Sequence, residues 1–418
     1  MLRISLLSLL LACYVAYAMP GALAHSPEYF GRKYVLVDED PAIKPKLDCG
    51  GDARVQGQQR ATALQEDLEP RQLGEGAYAM GPTDDLGELG GLFADLCNHP
   101  AALKNYREAL QRMRINEGLL SKGQIPYLNA LADSSQAIGD FRSAQLNHRY
   151  IFRIHNQGQG PLSAQALDDS LAYFSRARQI FIDPRWRGEV SLFYQAFMDN
   201  QTMFEVQAEL NQVDYATMEA LGLSHLYNLY LLLGTEILQL QPNGPSGASA
   251  ALHLVNGDHN LAYSKGIRLL DNLLERAADQ PAVSRARLYL RLGNWHQWNG
   301  KWRRACKMYT QAWLLADGAS GAALRQQMSK PAELPEEASL WVSLLRSDVM
   351  VKAVVEASFR VSGSGNVSAV DTTRLDEGSS ALAGTINRWL RDSHARPAIV
   401  DGACVAGELS GRTYRLLR

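Results

Sequence analysis

Cysteine and histidine are the residues of this chain best placed to do chemistry, and their spacing decides which chemistry is open to them. There are five cysteines and nine histidines. No Cys-x2-Cys pair and no pair of histidines at i and i+4 occurs, so the ligand spacing of a tetrahedral metal site is absent. No G-x-S-x-G elbow, H-E-x-x-H helix, Walker loop or dinucleotide fingerprint occurs either. The reading is therefore non-enzymatic, with no cofactor and no metal. What remains for the cysteines is cross-linking. Cys13 lies in an apolar leader, which leaves Cys49, Cys97, Cys306 and Cys404 as an even set. Four cysteines allow three connectivities. Nearest neighbours would pair Cys49 with Cys97 and Cys306 with Cys404; buried free thiols are the alternative. Two Asn-x-Ser/Thr triplets, at Asn200 and Asn366, are short enough to arise by chance.

The leader sets the compartment. Met1-Leu2-Arg3 is a short positive region, Ile4 to Ala18 is almost wholly apolar, and Ala22-Leu23-Ala24 fits a small-x-small cleavage pattern. This is the pattern of a secretory signal peptide over residues 1–24, with His25 as the first mature residue. Retained instead, Ile4 to Ala24 approaches the ~20 residues that span a bilayer, which is the inner-membrane alternative. A lipoprotein attachment at Leu10-Leu11-Ala12-Cys13 is disfavoured because the apolar run continues past Cys13. Net charge is −2, from 42 basic and 44 acidic residues, which gives no basic face for nucleic acid.

Residues 25–82 are loop-rich and read as an irregular arm, with one short helix over Ala61 to Leu68. A helical period then takes over. From Ala286 to Ala316, Tyr289, Leu292, Gly293 and His296 share one helix face, Asn299-Gly300 makes a turn, and Ala305, Tyr309 and Ala312 share a face of the next helix. His296 sits at a packing position, as does His148 below. Leu86, Leu89, Gly90, Phe93, Ala102, Tyr106 and Ala109 repeat this pattern without a gap. A third copy runs through Leu128, Leu131, Ala132, Ser135, a Gly139-Asp140 turn, Ala144, His148 and Ile151. Between them, Leu162 to Leu240 is helical in pattern but off register. Leu167, Leu171, Phe174, Ala177 and Phe181 follow three- and four-residue steps in a helix that Pro184 ends, and Val190 to Leu210 and Tyr215 to Leu240 read as further helices. PNGPSG at Pro242 to Gly247 is a break, and Asn260 to Ala277 gives the next helix.

The pattern resembles the tetratricopeptide (TPR) repeat, W-x2-L-G-x2-Y followed by A-x3-F, with Tyr289 standing for Trp and His296 for Tyr. The resemblance implies an α-solenoid over residues 83–317 whose concave groove binds an extended peptide or protein partner. It implies groove positions at Arg287, Leu290, Asn294, Gln297 and Trp298, and at Asn129, Asp133, Gln136 and Ala137. An ordinary solvated face is the competing reading of these residues.

Residues 318–346, small, polar and proline-containing, read as a linker. Beyond it period two replaces 3.6: Val351 to Val361 alternates as a strand, SGSGN turns, Val367 to Thr373 returns, Ser379 to Arg391 is an amphipathic helix, and a last strand closes near Thr413 to Leu417. Residues 347–418 resemble the C-terminal domain of TonB-type proteins at Val355, Phe359, Val361, Gly365, Val367, Val370, Trp389, Arg396-Pro397-Ala398 and Asp401-Gly402, with Ala357 and Ala395 departing from that pattern. The expected fold is mainly α: a TPR-type solenoid followed by a small α+β, TonB C-terminal-like domain. The resemblances imply a periplasmic adaptor that joins an envelope complex through its groove and a strand-pairing domain, touching membrane only if the leader is retained. The alternatives are an inner-membrane-anchored energy transducer, although 16 prolines supply no periplasm-crossing spacer, and an accessory subunit of an envelope enzyme.

Overall fold

The computed structural model describes residues 34–36, 53–75, 79–158, 160–182, 190–210, 213–234, 259–337, 340, 351–375, 381–393 and 395–417. The expected leader with its cleavage point, part of the arm, Cys49, Pro184 and the PNGPSG break lie outside them. The described chain is mainly helical, with a small sheet part at its C-terminal end. Among the described residues twelve α-helices make the helical part: α1 Ala53–Glu75, α2 Thr83–Asp95, α3 His99–Glu117, α4 Ile125–Ala137, α5 Phe141–His155, α6 Ala164–Ile182, α7 Val190–Glu209, α8 Tyr215–Gly234, α9 His259–Arg276, α10 Ala282–Trp298, α11 Trp302–Leu315 and α12 Gly318–Met328. Among the described residues no helix is long and apolar enough to cross a membrane.

Three helix hairpins, α2–α3, α4–α5 and α10–α11, share one design. At each first-helix end one residue takes positive φ: Cys97 (56°), Gly139 (81°) and Gly300 (69°). The next residue then donates its backbone N–H back into the helix: Asn98 to Phe93 O at 2.8 Å, Asp140 to Ser135 O at 2.8 Å, Lys301 to His296 O at 2.9 Å. This six-to-one closure satisfies a helix-end carbonyl and fixes the reversal. Behind the turn the seam is set by size. A Cβ on Gly90 would lie 2.6 Å from Tyr106 Cε1, and one on Gly293 would lie 2.3 Å from Tyr309 Cε1. Each tyrosine ring therefore lies on bare backbone. In the middle hairpin the partner is the smaller His148, and Ala132 fills the glycine position. Ala102, Ala109, Ala144, Ala305 and Ala312 are fully buried where the helices approach. Asn98 and Asp140 cap the second helices through Ala101 N (3.4 Å) and Ser143 N (3.0 Å).

The main core lies between α6 and α10 and joins Phe174, Phe193, Leu221, Leu270 and Trp295. Strands β1 Tyr34–Leu36, β2 Ala332–Glu333, β3 Val351–Val361, β4 Val367–Arg374, β5 Ala395–Arg396, β6 Ala398–Val400, β7 Ala403–Val405 and β8 Gly407–Leu417, with helix α13 Ala381–Asp392, form the C-terminal part. Its main sheet is antiparallel in the order β1-β8-β3-β4. Ala353, Val355, Ala357, Phe359 and Val361 alternate inward from β3 onto Ile386 and Leu390 of α13, as period two requires. Asp401 and Gly402, both at positive φ, make the two-residue turn between β6 and β7.

Four expectations are corrected. The helix expected over Ala61 to Leu68 is the 23-residue α1, with Pro70 inside it. The arm is not wholly irregular, since Tyr34–Leu36 forms β1 on the edge of β8. The expected linker is structured from its start: α12 packs so closely that a Cβ on Gly321 would lie 2.2 Å from the Ala316 carbonyl carbon, and β2 pairs with β5. The last strand begins at Gly407, not near Thr413.

Candidate functional site

The expected groove positions divide into two unlike halves. On α4, Asn129 and Gln136 are half-buried, and Asp133 and Ala137 are exposed. Arg176 reaches across from α6 to donate to the Gln136 side-chain oxygen. His148 lies beneath this face; burial, and then the charge of Arg176, push its pKa down to about 3. The α4 surface is thus a polar face, open to solvent and braced from α6.

On α10 only Arg287 is exposed. Leu290, Asn294, Gln297 and Trp298 are 5%, 7%, 5% and 0% exposed, so the groove expected there is not open. Two things close it. The C-terminal part sits on its end: Gln297 Nε2 donates to Ser364 O at 2.9 Å, in the β3–β4 turn. Gly365 beside it, at φ 86°, has its Cβ direction aimed at Gln297 Nε2, so no larger residue fits that turn. Trp298 meanwhile turns into the core and meets Tyr230 edge-on at 5.8 Å. The disulfide joining Cys306 of α11 to Cys404 of β7 bonds the two parts covalently, and Thr310 Oγ1 donates to Gly402 O at 2.7 Å beside it. Cys97 is disulfide-bonded too, and its partner lies outside the described residues.

The remaining α10 positions open instead into a cleft of about 290 Å³ between α8, α10, α12 and residues 335–337, which form its roof. Arg287, Leu290 and Asn294 line it, and so do Arg291, Tyr227, Tyr230, Leu226, Leu324, Gln327, Glu336 and Glu337. Sequence reasoning missed these last eight, which come from elements outside the recognisable repeat or, for Arg291, from the same α10 face one turn beyond Arg287. Glu336 is held hard in place. Arg396, 1% exposed, donates Nε to its Oε1 at 2.9 Å, and Gln327 Nε2 donates to Oε2 at 3.3 Å. Tyr309 donates its hydroxyl to Asn294 Oδ1 at 3.0 Å, which fixes the amide orientation and leaves its two N–H donors to offer. Behind the wall, buried Arg178 donates to Ser224 O and Oγ, both at 3.1 Å, and to Asn228 Oδ1 at 3.0 Å, with its guanidinium 5.7 Å from the Tyr227 ring centroid. Burial draws the Arg178 pKa down to about 10, so it stays charged at neutral pH. Burial raises the Tyr227 hydroxyl, and Tyr230 more so; both remain neutral donors.

The only hydrogen-bonded carboxylate–imidazole pair among the described residues, His155 Nε2 with Asp169 Oδ2 at 2.8 Å, joins α5 to α6 and takes no part in the cleft. Chemically the cleft offers guanidinium, amide and phenol donors over an aliphatic floor, an arrangement suited to holding a ligand. No family model matches this chain, and no curated protein sequence is similar to it.

Proposed function

We propose that the chain is a TPR-type solenoid closed by a TonB C-terminal-like domain, and that it works as a non-enzymatic adaptor in the bacterial periplasm, holding an extended segment of a partner protein against the open face of α4. The observation that carries this reading is the shared turn at Cys97, Gly139 and Gly300 with matching seams behind it. Hairpins built alike stack alike, and a stack of this kind presents its first helices side by side as a recognition surface. Asn129, Asp133 and Gln136 supply amide and carboxylate partners for a backbone in extended conformation, and the donation from Arg176 orients Gln136.

A photo-crosslinking residue at Asp133, compared with one at exposed Arg142 on the second helix of the same hairpin, tests the proposal in envelope preparations. A discrete adduct from position 133 and none from 142 is expected. Equal labelling at both sites removes the groove reading. N-terminal sequencing of the exported chain tests the compartment: a start at His25 is expected, and a chain that keeps Ile4 to Ala24 in the membrane fraction replaces the periplasmic adaptor with the anchored form.

A further inference from the structure

The roofed cleft is a separate matter from the open face, and its charges do not balance. Four guanidinium groups line or back it, those of Arg178, Arg287, Arg291 and Arg396. Two carboxylates, Glu336 and Glu337, face them, leaving an excess of two positive charges. The next carboxylate along α8, Glu219, acts on Tyr215, outside the lining. The acids are already in use. Glu336 accepts from Arg396 and Gln327, and Glu337 acts on Tyr227 and on buried Arg178. The arginines of α10 are not. Arg287 has no hydrogen bond or ion pair among the described residues, and Arg291 has one long contact, to the Tyr227 hydroxyl at 3.4 Å. They lie four apart, one helical turn, so both guanidiniums can reach one acceptor. Asn294, whose oxygen accepts from Tyr309, completes the row with amide donors. Leu226, Leu290 and Leu324 make the rest of the wall apolar.

We infer that this cleft is a binding site for a small amphipathic carboxylate, its head group held by Arg287, Arg291 and the Asn294 amide and its apolar body lying on the three leucines. Charge decides the head group: two guanidiniums with no carboxylate partner among the described residues, Arg291 meeting only the Tyr227 hydroxyl, attract an anion, and arginine's fork matches a carboxylate in shape. Volume decides the size. Arg396 pins Glu336 in the roof, and at about 290 Å³ the cleft falls at the lower end of small-molecule sites, which begin at about 300 Å³. The site stands independently of the adaptor reading.

The same head group could arrive on a free acid or at the end of a chain, and calorimetric titration of the full mature chain separates the two. The probes are 4-phenylbutanoate, its neutral amide 4-phenylbutanamide, and a pentapeptide ending in phenylalanine with a free carboxylate. Saturable binding of the acid, at least about tenfold tighter than the amide, is expected. Arg287→Gln is expected to weaken the acid by at least about fivefold while leaving the melting curve unchanged, since that side chain is exposed and unpaired. Arg291→Gln should weaken it similarly, and Asp133→Asn on the open face should leave it unaltered. Equal binding of acid and amide, no saturable binding of the acid, or undiminished binding by the Arg287→Gln, Arg291→Gln double variant overturns the assignment. Tighter binding of the pentapeptide than of the free acid overturns it too, by making the cleft the end of a peptide groove.

Discussion

The hairpins α2–α3 and α10–α11 are built on the same seam and differ in what lies over them. Gly90 seats Tyr106 as Gly293 seats Tyr309. Around the first pair the tyrosine remains 8% exposed, and its hydroxyl, near Asp95 and Asp133, has no hydrogen bond among the described residues. Around the second the tyrosine is fully buried, its hydroxyl is fixed to Asn294, and a sheet, a disulfide and a roof close over the neighbouring face. The difference teaches that a repeat specifies its own internal packing, whereas later parts of the chain decide whether its outer face recognises anything.

The strongest way to break the comparison is to remove the covalent bond that only the second hairpin makes to the C-terminal sheet part. Cys404→Ser should cost about 4.7 kcal/mol of stability, the loop-entropy value for a cross-link spanning 98 residues. Amide exchange should accelerate in α11 and the β6–β7 hairpin and stay unchanged in α2–α3; equal acceleration in both would erase the distinction. Next come the seams themselves. Gly293→Ala should lose about 3 kcal/mol in denaturant titration, because fully enclosed Tyr309 cannot move aside, and Gly90→Ala about 1 kcal/mol, because Tyr106 can shift toward solvent. A reversed order would show that the sheet part does not confine the second seam.

Acid provides a graded test. His148 and His296 are held neutral, with pKa values pushed down mainly by burial to about 3 and about 4. An unfolded chain takes up those protons near pH 6.5 and the folded chain does not, so the stability contribution is complete above about 6.5 and falls as pH drops toward 3–4. The slope approaches ~1.4 kcal/mol per pH unit for each histidine. His148→Gln should flatten the curve of melting temperature against pH from about 6.5 down to 3, and His296→Gln only down to about 4. The smallest effect sharpens the contrast at a single atom. Tyr309→Phe should cost about 1 kcal/mol by leaving the Asn294 oxygen unpaired, and Tyr106→Phe close to nothing.

The seams were legible because buried pairs demand particular sizes at helical spacing: Leu89-Gly90 with Tyr106 and Leu292-Gly293 with Tyr309 declare both the helices and their contact. The strand character of Val351 to Val361 was legible for the same reason at period two. The fate of Gln297 and Asn294 was not. A polar residue on a helix face reads as solvated until its partner is known, and Ser364 is 67 residues away. The cleft was hidden more deeply, since Tyr227 and Glu336 come from elements without a repeat signature. Trp298 was the one hint, an aromatic where a solvated face would carry none. The segment GASGAAL misled by composition: its alanines are strong helix formers, and its glycine at 321 is what lets α12 sit against Ala316.

The bond from Cys306 to Cys404 makes the intervening chain a closed ring. That ring takes in α12, the roof over the cleft, β3, β4 and α13. A single protease cut anywhere around it therefore releases no fragment, and the helical array and the sheet part stay physically coupled until the sulfurs are separated. A nick that would sever an ordinary two-part chain here leaves one molecule.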